Sequence, residues 1–262
     1  MNLNLKNKRA LVCGSTQGIG LASAQELAAL GAEVVLIARN AEGLAAAVKT
    51  LNTDLGQSHE TLCADFDDSG DLKQKITSYL NDNRPIHILV NNTGGPPGGP
   101  IIKADIQEFE NAFERHLICN HILTQALVGK MKEEKYGRII NIISTSVKQP
   151  LKGLGVSNTI RSAVANWSKT LSEELAPFGI TVNNVLPGAT ATGRLSSIIE
   201  NKSKKSGSSV DETTAKMLSE IPAGRFAEPS EIACAVAFLA SPAAAYINGI
   251  NVPVDGGRTG CL

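Results

Sequence analysis

The chain has 262 residues, 42% of them hydrophobic and 19% charged, enough to bury the core of one large α/β domain. Lys plus Arg and Asp plus Glu number 25 each, which excludes the basic surplus of a protein built to bind nucleic acid or an anionic membrane surface. The five cysteines (13, 63, 119, 234 and 261) lack C-x-x-C or zinc spacing, Met1–Lys6 has no apolar signal core, and no segment reaches membrane-spanning length, so a reduced, metal-free cytoplasmic protein is expected.

In chain order, a strand over 9–13 leads through Cys13-Gly14-Ser15-Thr16-Gln17-Gly18-Ile19-Gly20 into a helix over 20–30 that stops at Gly31. A strand at 33–37, a helix at 41–52, a strand at 59–63, a helix at 69–82 and a strand at 86–90 follow. Then come a helix at 105–132, a strand at 138–143, a helix at 154–176 and a strand at 180–186. The polar stretch 193–229 is too long for an ordinary connection; it reads either as a solvated excursion or as a mobile lid over a substrate cleft. A helix at 230–240 and a strand at 250–254 close the chain. Such alternation predicts a single α/β domain over 1–262: a doubly wound parallel sheet with helices on both faces and ligands at the strands' carboxyl ends.

The glycine-rich turn fits a phosphate cradle, because bare glycine backbone approaches a pyrophosphate closely and the following helix offers unpaired N–H groups. Gly14, Ser15, Gln17, Gly18, Ile19 and Gly20 are therefore candidate cofactor-binding residues. The spacing is G-x-x-x-G-x-G, not G-x-G-x-x-G. It resembles that of the short-chain dehydrogenase/reductase family. Asp65-Phe66, Asn91-Asn92-Thr93-Gly94, Pro187-Gly188-Ala189-Thr190-Ala191-Thr192, Tyr246-Ile247-Asn248-Gly249 and Val254-Asp255-Gly256-Gly257 are similar to further motifs of that family. The resemblance spans roughly residues 5–257 and is strongest to the 3-oxoacyl-acyl-carrier-protein reductases. It implies a Rossmann fold and an NAD(P)-dependent oxidoreductase acting on a small carbonyl or alcohol substrate. It also implies a homotetramer paired through the helices at 105–132 and 154–176. It places Asp65 and Phe66 at the adenine, Asn91 and Gly94 beside the cofactor, and Pro187, Gly188, Thr190 and Thr192 at the nicotinamide carboxamide. Asn91 has a second reading, as a tie between adjacent strands.

NAD-selective folds usually carry an acid near the end of the second strand, to hold the ribose 2′-hydroxyl. Here Ala38 takes that place and Arg39 follows, favouring NADP(H) over NAD(H) because a guanidinium binds a 2′-phosphate. A solvated surface arginine is the alternative.

In the family a tyrosine supplies the proton, a lysine four residues later lowers its pKa and holds the nicotinamide ribose, a serine polarises the substrate oxygen, and an asparagine supports a relay water. Gly137-Arg138-Ile139-Ile140-Asn141-Ile142-Ile143-Ser144 matches the serine strand and places Ser144. The tyrosine and lysine positions fall on Ser157 and Arg161, and the asparagine position on His116. Arginine keeps the charge but cannot give up a proton. An aliphatic hydroxyl is far less acidic than a phenol, so the standard acid–base contribution of about 10²–10⁴-fold is expected to be lost unless replaced. His116 shares a helical face with Phe109, Phe113 and Asn120 and is expected to point inward, either as a proton donor titrating near neutrality or as a satisfied core residue. Lys148 is a second candidate donor, with an exposed lysine as its plain alternative. The residues thus suggest an NADP-dependent oxidoreductase with a rearranged proton relay or, alternatively, a catalytically inactive NADP(H)-binding sensor or partner subunit.

Overall fold

Runs dense in Val, Ile and Leu cannot be left to water on either face, and here they become strands buried on both. The computed structural model describes residues 1–82 and 84–261. Its strands and helices are β1 (Arg9–Cys13), α1 (Gly18–Ala29), β2 (Glu33–Ala38), α2 (Ala41–Val48), β3 (Glu60–Cys63), α3 (Ser69–Tyr79) and β4 (Ile88–Asn91). They continue with α4 (Ile106–Phe113), α5 (Cys119–Glu133), β5 (Gly137–Ile142), α6 (Gly155–Leu175), β6 (Ile180–Pro187), α7 (Gly193–Ser206), α8 (Val210–Ser219), α9 (Pro229–Ala240) and β7 (Asn251–Val254). The strands form one parallel sheet in the order β3-β2-β1-β4-β5-β6-β7. Strand order reverses direction between β1 and β4, so a crevice opens at their carboxyl ends.

Alternation along each strand divides the core between the two faces. Val12, Val34 and Leu36 pack with α1, α2 and α9, whereas Leu11, Val35 and Ile37 pack with α3 and α5. No helix among the described residues is long and apolar enough to cross a membrane.

Differences from the sequence reading lie mainly at element ends. The helix expected over 41–52 stops at Val48, and that over 69–82 passes into a 3₁₀ turn at Leu80–Asp82. The single helix expected over 105–132 is instead α4 and α5 joined by a π-helical turn, Glu114–Ile118, which carries His116. Within 193–229 lie α7 and α8, whose Leu195, Ile199 and Met217 make a small core with Ala189 and Phe226. Gly207 ends α7 in the left-handed conformation, and a capping box between Ser209 and Glu212 starts α8. The excursion leaves and returns at one point: Ala191 N donates to Ala227 O (2.8 Å) and Ala227 N to Ala189 O (3.0 Å).

Four asparagines stand in register across β4, β5, β6 and β7: Asn91, Asn141, Asn184 and Asn251. Asn91 Nδ2 donates to Asn141 Oδ1 (2.8 Å), Asn141 Nδ2 to Asn184 Oδ1 (3.0 Å), and Asn184 Nδ2 to Asn251 Oδ1 (2.8 Å). Asn141 Nδ2 also reaches Ser168 Oγ at 3.3 Å, tying α6 to the row. Replacing Asn141 by Leu strands a buried donor on Asn91 and a buried acceptor on Asn184. Asn141→Leu is expected to cost about 2–4 kcal/mol, read as a lowered urea midpoint with unchanged slope. A midpoint equal to the wild type's would show that the row does not hold the sheet.

Candidate active site

The crevice is floored by the turn from Cys13 to Gly20. Gly14 and Gly18 have φ of 57° and 56°, a conformation glycine adopts without strain. A Cβ on Gly20 would stand 2.1 Å from Gly14 O, and one on Gly14 would stand 2.7 Å from Asn92 O. Bare backbone is thus obligatory where α1 begins, and the N-terminus of α1 is uncovered as an anion cradle requires. Asn92 Nδ2 holds the turn from the far side, donating to Cys13 O (3.2 Å) and Gly14 O (3.3 Å). Thr192 closes it, its Cγ2 being 3.2 Å from where a Gly18 Cβ would lie.

Not every candidate side chain faces this space. Ser15 is fully buried, and its hydroxyl donates to Ile37 O (3.3 Å), so it ties the turn to β2. Asn91 is 2% exposed and its Nδ2 donates to Asn141 Oδ1, which favours the strand-tie reading, while its buried Oδ1 has no partner among the described residues. Phe66 packs in the core below α5. Gln17, Ile19 and Gly94 lie at or near the surface of the crevice, Gln17 as the N-cap of α1.

At the end of β2, Arg39 is exposed but not simply solvated, because it forms a 3.5 Å ion pair with Asp67. Arg115 Nε grips the same carboxylate at 2.6 Å. Asp65 Oδ1 accepts from Asp67 N (3.0 Å), fixing the turn that carries this group. The two guanidinium groups thus share the Asp67 carboxylate beside the end of β2; Arg115 was not singled out from the sequence.

On the other side of the crevice, Ser144 caps a 3₁₀ turn, its Oγ accepting from Ser146 N (3.1 Å). Ser157 lies half-buried in the first turn of α6, its hydroxyl without a partner among the described residues. Arg161 follows one turn later on the same face, 8% exposed, donating from Nη1 to Ile142 O (3.0 Å) at the end of β5. Burial and then the nearby charge of Arg194 pull its pKa down to about 10, so it remains a cation at neutral pH. Lys148 is half-buried, and its carbonyl accepts the Cys261 thiol (3.6 Å).

His116 does point inward, at 1% exposure, with Nδ1 2.5 Å from Thr93 Oγ1 and Nε2 unpartnered. The expectation of an imidazole titrating near neutrality is corrected. Burial first, then the charges of Arg161 and Arg115, hold its pKa well below 6.5. It is neutral at working pH and carries no proton to give as an imidazolium.

Pro187, Gly188, Thr190 and Thr192 follow β6 as a kinked segment. A Gly188 Cβ would meet Asp255 Cα at 2.7 Å, and Thr190 Oγ1 donates to Gly188 O (3.2 Å). Arg194, two residues beyond Thr192, reaches across the crevice and donates to Pro96 O at 2.7 Å. Nothing in the sequence alone marked it.

A family model described as enoyl-(acyl carrier protein) reductase matches residues 14–259. The 3-oxoacyl-[acyl-carrier-protein] reductase FabG of Haemophilus influenzae is 35% identical over 253 residues, 97% of this chain and 98% of that one. The L-sorbose reductase of Gluconobacter frateurii, solved with NADPH and L-sorbose, aligns with a TM-score of 0.92 at 30% identity over all of both chains. YwfH, described as an NADPH-dependent reductase involved in bacilysin biosynthesis, aligns at 0.91 with 29% identity over 97% of this chain and 99% of that one. The chain belongs to the short-chain dehydrogenase/reductase family of NAD(P)-dependent oxidoreductases.

Two buried imidazoles give the fold a pH dependence of defined sign. His87 accepts from Arg9 N (3.1 Å), and burial, then the charge of Lys8, lowers its pKa to about 4. His116 is lowered in the same sense. As pH falls, the unfolded chain takes up protons first, at about 6.5. The stability these groups contribute is full above that pH and is lost as pH falls toward about 4, through the folded value of His87. Urea midpoints are expected to decline over this window, and less steeply in His116→Gln. An NMR inflexion of His116 near pH 6.5 in the folded protein would refute the assignment.

Proposed function

We propose that the chain interconverts a carbonyl and an alcohol on a small molecule with NADP(H), Ser157 and Arg161 standing where the family has tyrosine and lysine. One observation carries this reading: Arg161 is a buried cation one helical turn from Ser157, fixed on Ile142 O and paired with no carboxylate among the described residues. The bare-backbone cradle fits a pyrophosphate, with Gly14, Gly18 and Gly20 below it and Thr192 beside it. When bound, the cofactor supplies the hydride that reduces the carbonyl carbon. Ser144 and Ser157 would each donate a hydrogen bond to the carbonyl oxygen. The charge of Arg161 would stabilise the negative charge that develops there. The proton completing the alcohol comes from water, since His116 is neutral and a serine hydroxyl is too weak an acid. His116 acts by position, holding Thr93 at the mouth of the crevice.

Arg39 supports the preference for NADP(H), with Arg115 sharing its Asp67 counter-charge, and the relatives described with NADPH lend the same preference weight. The α7–α8 excursion, pinned at Ala189–Ala191 and Ala227, serves as the lid over the substrate. A homotetramer paired through α5 and α6 completes the reading; exposed Ile102, Ile106 and Phe113 on and before α4 supply apolar surface for assembly. All five cysteines are free thiols, which suits a cytoplasmic protein.

The substitution at Ser157 favours a second reading, a protein that binds NADP(H) without turnover. One measurement separates them, and a second tests the cofactor preference. NADPH oxidation at high protein concentration is followed against ketones, aldehydes and 3-oxoacyl thioesters, beside a Ser157→Tyr, Arg161→Lys double variant. Wild-type turnover, about 10²–10⁴-fold slower than that of the double variant, is the expected outcome. Activity confined to the double variant moves the protein to the binding role. In the second, Arg39→Ala is expected to weaken NADPH binding by about 10–100-fold and NADH binding hardly at all, read by cofactor fluorescence. Equal losses for both cofactors would make Arg39 a surface arginine.

A further inference from the structure

Beside the cofactor cradle, two guanidinium groups face one open space in the crevice. The heavy atoms nearest to the point where a Gly95 Cβ would lie, apart from its chain neighbours, are Arg194 Nη2 at 3.5 Å and Arg161 Nη2 at 3.9 Å. Beside it, Gly94 has nothing within 4 Å of its own Cβ position. Each arginine is held by a backbone carbonyl, Arg161 through Nη1 on Ile142 O and Arg194 through Nη2, the nitrogen nearest Gly95, on Pro96 O, which leaves that nitrogen one further hydrogen to donate. Neither belongs to an ion pair among the described residues. The buried Nε2 of His116 is also unpartnered, and His116 is close enough to Arg161 for that charge to depress its pKa. A further cation, Lys205 of α7, donates to Gly98 O (3.4 Å) on the same loop.

Two like charges aimed at one point repel, and one of them is desolvated. An anion between them would relieve both costs, and two guanidinium groups present donors suited to the two oxygens of a carboxylate. Arg161 is only one helical turn from Ser157, which the proposed function sets against the carbonyl oxygen, so an anionic group on Arg161 lies within a bond or two of the reacting carbonyl. The geometry points to Arg161 and Arg194 as a carboxylate subsite, making the substrate class a short 2-oxo or 3-oxo acid and the corresponding hydroxy acid. This rests on the oxidoreductase reading above, which it narrows from carbonyl compounds in general to free oxo acids. Arg161 contributes fixed charge from the core, and Arg194 is the specificity-determining partner contributed by the lid.

The test pairs binding with turnover. Calorimetry of the protein loaded with NADP⁺, which cannot reduce a ketone, is run with acetoacetate and pyruvate and with their methyl esters. NADPH oxidation is followed with the same four compounds. Both acids, or one of them, are expected to bind at least about tenfold more tightly than the matching ester. In Arg194→Gln that preference is expected to fall by about 10–100-fold, with Arg194→Lys, which keeps the charge but not the fork, in between. Circular dichroism and the NADPH dissociation constant establish that each variant is folded and loaded. Acid binding without turnover would keep the subsite and sink the oxidoreductase reading. Turnover of esters as readily as acids would sink the subsite alone. A drop in NADPH affinity in Arg194→Gln, with no change in acid preference, would assign the pair to the cofactor's diphosphate and overturn the inference. Binding of neither acid would overturn it as well.

Discussion

The row of amides from Asn91 through Asn141 and Asn184 to Asn251 sets the level at which the sheet ends, and the crevice is built on that level. Asn91, Asn141 and Asn184 each hand a donor to the next strand's acceptor, and all three are too buried for water to offer an alternative partner. A one-residue slip of any strand would leave two of these groups stranded, so the row fixes register where period-two burial alone is weak, because these strands are apolar on both faces. Four of the segments that line the crevice begin within a few residues of the row. Asn91 is followed by Asn92 and the Thr93–Gly95 turn, Asn141 by Ser144, Asn184 by Pro187 and Gly188, and Asn251 by Asp255.

Backbone contact makes the next level. Asn92 lies against Gly14 and Gly20 so closely that no side chain fits at either glycine, and its amide bonds to the carbonyls of the same turn. One strand end thus clamps the other across the switch point between β1 and β4. Gly188 meets Asp255 in the same manner at the far side of the crevice. The rigid parts of the site are therefore those in which main chain touches main chain. The charged groups sit on the segments between them.

The sheet and its order of elements were legible because burial on both faces writes itself into short runs of Val, Ile and Leu. Helix ends were less so: Val48 ends α2 without glycine or proline, and nothing local forces the stop. The π turn at Glu114–Ile118 left no mark on the periodicity of the long helix: His116 faces inward as its spacing from Asn120 predicts, but Phe113, expected on the same face, is exposed. The protonation state of His116 was not legible, since that depends on burial and on Arg161, 45 positions along the chain. The side-chain partners of Asn91 and Ser15 were not legible either, since Asn141 Oδ1 and Ile37 O come to them only once the strands pair. Arg194 and Arg115 carried no motif at all. Their roles exist only once a loop and a helix from distant parts of the sequence meet.

On the proposed reading, the exchange of a tyrosine–lysine pair for Ser157 and Arg161 changes the kind of electrostatics the site can offer. A phenol beside an ammonium is a titrating system whose two protonation states both matter, and its field varies with pH. Arg161, with a pKa near 10, stays charged across the neutral range, and His116 stays neutral because it is buried beside that charge. The field at the carboxyl end of β5 is thus constant where the usual arrangement switches. Such a field stabilises a developing oxyanion but supplies no proton. On that reading the proton comes from water, and the rate should follow solvent access under the α7–α8 excursion rather than the titration of His116.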